Sequence, residues 1–333
     1  MKNRGNNKLL VILGPTSSGK TKLAVKLAYK FNGEIVSADS RQVYKGMDVG
    51  TGKDLKDYFI KIPNNKKQKS NKFQIINSKS QRKFKFQILK VPYHCIDVVS
   101  PKTEFNLAKY VKLANRAICD VQRRGKLPIL VGGAGLYAQA VVDMYNLTGA
   151  KPDKKLRERL EKMPIEKLRK LLRKLDRNYD GNLDNKRYLI RYIEIVSQSK
   201  KKLKKLVVKK GSAHDCLVLG IKFPREEINK RIDKRLIERI EREDMIGEVK
   251  SLHQQGVSWK RLESFGLEYR FVSQYLQGKL GREEMAEKLK IAIHQFAKRQ
   301  MTWYRRWEKQ GRTIKWINDY REGRRLIKRW LVD

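Results

Sequence analysis

The sequence is poor in cysteine and has no long apolar run. Its three cysteines, Cys95, Cys119 and Cys216, lie far apart without a C-x-x-C pair, which argues against a disulfide framework or a zinc site. The run Leu9–Leu13 is too short for a signal peptide, and no apolar stretch reaches the roughly 18 residues of a membrane span. We therefore expect a cytoplasmic protein with no membrane partner.

Acidic residues are also scarce relative to basic ones. The chain of 333 residues carries 78 Lys and Arg against 35 Asp and Glu, a net charge of +43. This excess favours a polyanionic partner such as a nucleic acid. A lysine-rich composition spread over every solvated face is the alternative, because composition shows charge but not clustering. The length allows two domains, or one domain with a large insertion.

Short apolar runs alternate with helical patterns in the first part of the chain. Leu9–Leu13, Glu34–Ala38 and Leu127–Val131 have the length and composition of buried strands. Between them, apolar residues recur at helical spacing over Thr21–Phe31 and Ala108–Val121. The alternation predicts an α/β fold with a doubly wound parallel sheet, whose ligands lie at the carboxyl ends of the strands.

The rest of the chain predicts an insertion and a helical end. We expect an α/β catalytic core over residues 1–150, with a loop or hairpin inserted at 63–85, and an inserted helical domain over residues 151–212. Residues 213–333 complete the core, with a return strand at Cys216–Ile221 and two long helices at Arg225–Gln254 and Glu283–Trp307.

A phosphate-binding loop follows the first predicted strand directly. The segment matches G-x-x-x-x-G-K-[ST] between a strand and a helix, the context that makes this motif credible. Backbone N–H groups, the helix N-terminus and the lysine favour a diphosphate or triphosphate, and the final hydroxyl suits Mg²⁺. A glycine-rich turn that only connects strand to helix is the alternative. The loop consists of Gly14, Pro15, Thr16, Ser17, Ser18, Gly19, Lys20 and Thr21.

The segment Ile35–Lys53, together with this loop, resembles the tRNA dimethylallyltransferase family, the tRNA isopentenyltransferases. The resemblance continues in order over nearly the whole chain. It implies a P-loop NTPase-like core with an inserted helical domain and C-terminal helices. Further matching segments are His94–Pro101, Leu127–Tyr137, Asn185–Arg187 with Arg191 and Glu194, Gly266–Arg270, and Ala297–Trp303.

The resemblance implies a reaction and the residues that perform it. The family transfers a dimethylallyl group from its diphosphate to the exocyclic amine of the tRNA adenosine on the 3′ side of the anticodon. By resemblance, Asp39 is the general base, Thr16 contacts the reacting centre, and Lys20 with Mg²⁺ neutralises the leaving diphosphate. A second interpretation makes Asp39 a Walker B-like carboxylate that holds Mg²⁺ through water. We expect a monomer.

The resemblance also implies the contacts to the anticodon stem-loop of tRNA and a second cation on the diphosphate. An arginine from the helix after the return strand binds the diphosphate; Arg231 and Arg235 both fit, and we favour Arg235. Ala134 replaces a hydroxyl residue that is usual in the family, and Tyr188 replaces an arginine. Trp303, Tyr304 and Trp307 are expected to pack within the fold. The residues expected to contact tRNA are Asp39, Ser40, Arg41, Gln42, Ala134, Arg187, Arg191, Lys298, Arg299 and Gln300.

Three other functions share these features. A prenyltransferase that acts on free adenine nucleotides uses the same loop and base, but a mononucleotide needs no long basic surface. A P-loop kinase or ATPase binds ATP in the same loop. An RNA-binding protein that has lost catalysis is suggested by Ala134 and Tyr188, whereas the presence of Asp39, Thr16 and Lys20 argues against it.

Overall fold

The computed structural model describes residues 7–63, 74–75, 86–145, 150, 152–177, 183–199 and 214–332. The chain divides into two units, Met1–Val142 with Ala213–Asp333, and Asp143–Ser212. The described strands are β1 (Lys8–Leu13), β2 (Gly33–Ser37), β3 (Phe59–Pro63), β4 (Gln74–Ile75), β5 (Phe86–Lys90), β6 (Tyr93–His94), β7 (Leu127–Gly132), β8 (Asp215–Ile221) and β9 (Lys315–Ile317).

Six of these strands form one parallel sheet in the order β6-β2-β7-β1-β8-β9. This confirms the predicted doubly wound α/β fold. The predicted return strand is β8, which pairs with β1 along its whole length, from Lys8 opposite Asp215 to Leu13 opposite Gly220. Strands β3, β5 and β4 form a separate antiparallel sheet. Most of the predicted 63–85 loop or hairpin lies outside the described residues.

Helices cover both faces of the parallel sheet. The helices of the described residues, in chain order, are α1 (Lys20–Phe31), α2 (Leu107–Arg123), α3 (Gly135–Val142), α4 (Lys154–Glu161), α5 (Ile165–Leu175), α6 (Lys186–Ser199), α7 (Arg225–Glu241), α8 (Met245–Gln254), α9 (Trp259–Glu263), α10 (Leu267–Leu276), α11 (Arg282–Lys309) and α12 (Tyr320–Val332), with a short 3₁₀ turn at Leu55–Tyr58; α1 and α12 pack on one face of the parallel sheet, and α2, α3 and α11 on the other. No helix in the described ranges is long and apolar enough to span a membrane.

Alternate residues of β1 point to the two faces of the sheet. Leu10 and Ile12 belong to the core under α1 and α12, whereas Leu9, Val11 and Leu13 belong to the core under α2, α3 and α11. A strand buried on both faces must be apolar throughout, which is why it reads as a continuous run in the sequence. This packing fixes the end of β1, from which the phosphate-binding loop begins.

The predicted helix Arg225–Gln254 is wrong as a single element. The structure has two helices, α7 and α8, separated at Asp244, which has a φ of 54°. The Asp244 side chain accepts a hydrogen bond of 3.0 Å from the Gly247 N–H and so caps the start of α8. Apolar residues recur at helical spacing on both sides of this break, and the five-residue step from Ile240 to Met245 was too small an interruption of the periodicity to reveal it.

The second unit contains α4, α5 and α6. Leu160, Leu168, Leu172, Leu189 and Ile193 form its core, as the leucine spacing predicts. The buried carboxylate of Glu194 accepts hydrogen bonds from the Asp153 N–H and from two arginines, Arg157 and Arg191. These contacts connect α4 to α6. The final part of the predicted helical domain, residues 200–212, lies outside the described residues.

Candidate active site

Three strand ends meet at one edge of the sheet. Leu13 pairs with Gly132, and Ser37 pairs with Val131. The Ala38 N–H donates a 2.7 Å hydrogen bond to the Val131 carbonyl, one residue beyond the end of β2. The loops after β1, β2 and β7 are therefore adjacent, as expected for the ligand-binding edge of a doubly wound sheet.

The loop after β1 has the geometry of a phosphate-binding loop. Ser17 and Gly19 have φ values of 61° and 74°, in the left-handed region that turns successive N–H groups toward one side. Lys20 begins α1, so the helix N-terminus points at the same space. Ser18 Oγ is buried and has no hydrogen-bond partner within the described part of the chain. A phosphate oxygen would satisfy this hydroxyl.

Lys20 is half-buried in this loop, and its ammonium group donates to the Pro15 carbonyl over 3.3 Å. Desolvation lowers the pKa of Lys20 to about 8; the negative charge of Asp39 opposes this shift, and the positive charge of Arg235 adds to it. Lys20, Asp39 and Arg235 are therefore within electrostatic reach of one another. An anion between the two cations would raise the pKa of the lysine again.

Asp39 follows β2 at the same edge. Its Oδ1 accepts hydrogen bonds from the Arg41 N–H at 2.8 Å and the Gln42 N–H at 3.4 Å, which fixes the orientation of the carboxylate. Across the described ranges, Oδ2 makes no hydrogen bond. The chain thus presents one oriented carboxylate oxygen beside the phosphate loop.

The three residues after Asp39 differ in how far they are engaged by the rest of the fold. Gln42 accepts from the Ser37 hydroxyl at 2.8 Å and donates to the Gly52 carbonyl at 3.2 Å, so it is engaged within the fold. Arg41 donates to the Ser264 carbonyl at 3.2 Å, and desolvation lowers its pKa. Ser40 is half-buried. These residues line the edge at which Asp39 is held.

The loop after β7 adds Ala134 and Tyr137 to the same neighbourhood. Ala134 is half-buried, and its carbonyl accepts from the Tyr137 N–H at the start of α3. Desolvation raises the pKa of Tyr137 to about 12, with Arg41 opposing this shift and Asp39 adding to it. Ala134 offers a methyl group here in place of a hydroxyl.

Gln300 on α11 holds the phosphate loop in place. Its Oε1 accepts from the Thr16 N–H at 2.8 Å, and its Nε2 donates to the Gly133 carbonyl at 2.9 Å. The side chain is only 6% exposed. The sequence predicted a tRNA contact for Gln300, whereas the structure engages both ends of its amide within the protein. The fully buried Tyr304 hydroxyl also lies 3.2 Å from the Gly14 carbonyl and 3.0 Å from that of Gly133.

The neighbours of Gln300 on α11 differ in exposure. Lys298 and Arg299 are exposed, whereas Tyr304 and Trp307 are buried. This confirms the expected packing role of the two aromatic residues. Trp303 donates to Gln139 Oε1 at 3.0 Å. The basic and aromatic run at the end of α11 therefore has a solvent side and a core side.

The structure distinguishes the two candidate arginines of α7. Arg231 donates to Glu227 at 2.7 Å, and its guanidinium lies 4.1 Å from the centre of the Phe223 ring. Arg235 pairs with Asp54 and is close enough to Lys20 to lower its pKa. Arg235 is thus the one that the fold directs toward the phosphate loop.

The basic residues predicted in the helical unit also differ from each other. Arg187 and Tyr188 are exposed at the start of α6. Arg191 pairs with the buried Glu194 and donates to the Ala150 carbonyl at 2.9 Å. Arg191 therefore stabilises its own unit in this structure.

Two family models match this chain, IPP transferase over residues 72–307 and isopentenyl transferase over residues 7–63. The chain belongs to the IPP transferase family. It is 43% identical over 319 residues to tRNA dimethylallyltransferase 1 of Syntrophus aciditrophicus, covering 94% of each chain. It is 41% identical to tRNA dimethylallyltransferase 2 of Treponema denticola, covering 92% of this chain and 95% of that one.

Solved structures of the family show the same fold. The full-length tRNA isopentenylpyrophosphate transferase of Bacillus halodurans matches with a TM-score of 0.63 and 30% identity, covering 98% of this chain and 96% of that chain. A eukaryotic dimethylallyltransferase, studied while acting on tRNA, matches with a TM-score of 0.66 and 26% identity, covering 90% and 70% of the two chains.

Two charged residues near the site of this family member were not singled out from the sequence. Arg239 and Glu268 form an ion pair of 3.8 Å. Desolvation raises the pKa of Glu268, Arg239 opposes the shift, and Asp39 adds to it. Glu268 lies in the matched segment Gly266–Arg270, which is a weak signal for it, whereas no pattern in the sequence points to Arg239.

Proposed function

We propose that this chain transfers the dimethylallyl group of dimethylallyl diphosphate to the exocyclic amine of the tRNA adenosine on the 3′ side of the anticodon. One observation carries the proposal. A phosphate-binding loop and an oriented carboxylate, Asp39, meet at one sheet edge, within electrostatic reach of each other. An alkyl transfer from a diphosphate to an amine needs these two groups side by side.

The phosphate loop binds the leaving group, which is the diphosphate. The carbon–oxygen bond to the diphosphate breaks, and the electron pair stays with the diphosphate. The loop N–H groups, Lys20 and Arg235 stabilise the negative charge that develops there. Gln300 holds the Thr16 N–H in place, so the loop does not have to reorganise when the charge appears.

Asp39 acts on the nucleophile, which is the exocyclic amine of the adenosine. An amine conjugated to a purine is a weak nucleophile, so its proton must leave as the new nitrogen–carbon bond forms. In this proposal Asp39 Oδ2 takes that proton, while Oδ1 remains bonded to the backbone at Arg41 and Gln42. Unstacking the adenosine costs little in a single-stranded loop.

The donor groups of the loop suit Mg²⁺. No cluster of three or more His, Cys, Asp or Glu that could hold a metal occurs within residues that the structure describes. Mg²⁺ often needs few protein ligands, because phosphate oxygens and water complete its shell. Thr21 would supply the hydroxyl ligand, and Mg²⁺ bound there would neutralise part of the diphosphate charge.

We assign the RNA contacts to cations near this edge, of which Lys298 and Arg299 are exposed and Arg41 is half-buried. Lys298 and Arg299 directly precede Gln300 on α11, and Arg41 lies two residues after Asp39. We retain Arg187 of the helical unit as an RNA contact and give Gln300 and Arg191 structural tasks. Ser40 and Ala134 remain proposed neighbours of the substrate nucleotide. A cytoplasmic monomer is part of the proposal.

Diphosphate release tests this proposal. We would incubate the protein with Mg²⁺ and dimethylallyl diphosphate, with and without tRNA, and in parallel with ATP alone. The proposal predicts release of diphosphate only when dimethylallyl diphosphate and tRNA are both present. Turnover of ATP that ignores tRNA would instead support the kinase or ATPase interpretation.

A further inference from the structure

Two arginines of α7 converge beside Gly52. Arg235 and Arg239 are one helical turn apart and lie on the same face of the helix. A Cβ atom on residue 52 would overlap Arg239 Nη2 and would lie 2.9 Å from Arg235 Nη2. Both guanidinium groups therefore approach one point on the backbone. Two like charges gain by sharing an anion at such a point.

Arg239 is short of partners for a buried cation. Its side chain is only 8% exposed, and Nε is buried without a hydrogen-bond partner among the residues that the structure describes. Its nearest carboxylate, Glu268, is 3.8 Å away, which is longer than a hydrogen bond. A buried charge with incomplete hydrogen bonding is costly unless a ligand completes it.

The backbone at Gly52 is built to admit both side chains. Its φ of 62° lies in the left-handed region, and the missing Cβ leaves the space that Arg239 occupies. The Gly52 carbonyl accepts from Gln42, which follows Asp39 closely in the chain. Gly52 thus joins the arginine pair to the loop that carries Asp39.

We propose that Arg235 and Arg239 form a two-arginine anion subsite beside Gly52, which holds the part of the diphosphate that projects from the phosphate loop. The inference rests on the function proposed above and adds Arg239 to it. Arg235 is within electrostatic reach of Lys20, so one diphosphate can bridge the loop and the subsite. Guanidinium groups suit this task because they offer several N–H donors in a fixed plane.

Binding of inorganic diphosphate in the presence of Mg²⁺, measured by titration calorimetry, tests the subsite. Arg239→Gln should weaken the affinity about tenfold to a hundredfold, the loss expected for buried charge-assisted hydrogen bonds. Arg242→Gln removes an exposed arginine just after the same helix and should leave the affinity unchanged. Equal affinities of Arg239→Gln and Arg242→Gln would overturn the subsite.

Diphosphate binding by the wild-type protein tests the proposed function separately from this inference. If it fails to bind diphosphate, the proposed function fails. If it binds and Arg239→Gln binds equally well, only the subsite fails. Affinity for tRNA and the thermal midpoint report whether the variant folds. Should Arg239→Gln not fold, Arg239→Lys keeps the charge but loses the planar donors: about tenfold weaker diphosphate binding supports the subsite, and unchanged binding overturns it.

Gly52→Ala offers a second test without removing a charge. The new Cβ would push both arginines apart, so diphosphate affinity should fall about tenfold or more. Gly278→Ala is the matched control, because Gly278 has a similar φ of 71° and has no atoms within 4 Å of its Cβ position. Both variants bear the same backbone strain. If the two variants bind diphosphate equally, the arginines do not use the space beside Gly52 for an anion.

Discussion

At the scale of single residues, Asp39 is the proposed general base of the reaction. Its Oδ1 is occupied by two backbone N–H groups, and Oδ2 remains to accept a proton. We expect Asp39→Asn to keep the turn and the affinity for tRNA, and to lower the rate constant of dimethylallyl transfer about a hundredfold to ten-thousandfold. Single-turnover transfer to tRNA measures this, with Asp120→Asn on α2 as the control. A wild-type rate in Asp39→Asn would remove Asp39 from the chemistry.

The pKa of Lys20 gives a prediction about pH. Burial lowers this pKa to about 8, so the ammonium group of the free protein loses its charge as pH rises through about 8. We expect affinity for inorganic diphosphate to fall between pH 7 and pH 9. Diphosphate itself also titrates, so the same profile is measured with Lys20→Met, in which only the titration of the ligand remains. Parallel profiles for the two proteins would show that Lys20 does not control binding.

At the scale of elements, α11 supports the phosphate loop through Gln300. Gln300→Ala would leave the Thr16 N–H unpaired and the Gly133 carbonyl with the Tyr304 hydroxyl as its remaining donor, at a cost of about 1–3 kcal/mol. We expect a higher KM for dimethylallyl diphosphate with little change in tRNA affinity. Gln295→Ala, an exposed glutamine on the same helix, is the control. If Gln300→Ala changed tRNA affinity alone, Gln300 would be an RNA contact, as its sequence context suggested.

The opposite edge of the sheet is held by the buried Glu34. Its carboxylate pairs with His94 at 2.8 Å, with Lys126 at 2.7 Å and with Arg124, which joins β2 to β6 and to the end of α2. Desolvation alone would raise the pKa of Glu34, but these partners outweigh it and lower the pKa. The ion pairs therefore stabilise the fold above about pH 4, the ordinary range of a glutamate, and are lost as pH falls below it.

Glu34→Gln should lower the free energy of unfolding at pH 7 by about 3 kcal/mol, because two cationic partners, Arg124 and Lys126, lose their anion. The difference from wild type should shrink as pH falls from 6 to 3. Thermal midpoints across this range measure both effects, with the exposed Glu104→Gln as control. A difference that stays constant with pH would show that packing, and not the charge of Glu34, stabilises this edge.

The sequence predicted the elements that local patterns specify. The apolar run of β1, the glycine spacing of the phosphate loop and the position of Asp39 after β2 are all local, and the structure brings them together as expected. The ion pair between Arg239 and Glu268 depends on a contact between α7 and α10, and no local sequence spacing predicts such a contact. The tRNA contact expected of Gln300 came from the resemblance, whereas its hydrogen bonds to the Thr16 N–H and the Gly133 carbonyl depend on how α11 meets two loops, which no local spacing records.

At the scale of the whole molecule, the +43 charge predicts that tRNA binding depends steeply on salt. Lys298→Gln with Arg299→Gln should weaken binding and reduce the slope of log K against log salt by about 2, or about 1 for each phosphate contact. Arg324→Gln with Arg325→Gln removes two exposed cations from α12 and should change the slope little. Equal slopes for the two double variants would show that the charge acts without a defined RNA surface.

The most direct test of the proposed reaction is to find where the dimethylallyl group goes. The protein is incubated with Mg²⁺, labelled dimethylallyl diphosphate and either tRNA or AMP, and the tRNA is then cut into fragments and analysed as nucleosides. We predict label in one adenosine, in the fragment that contains the 3′ neighbour of the anticodon, and none in AMP. Label in AMP but not in tRNA, or in neither, would contradict the proposed function.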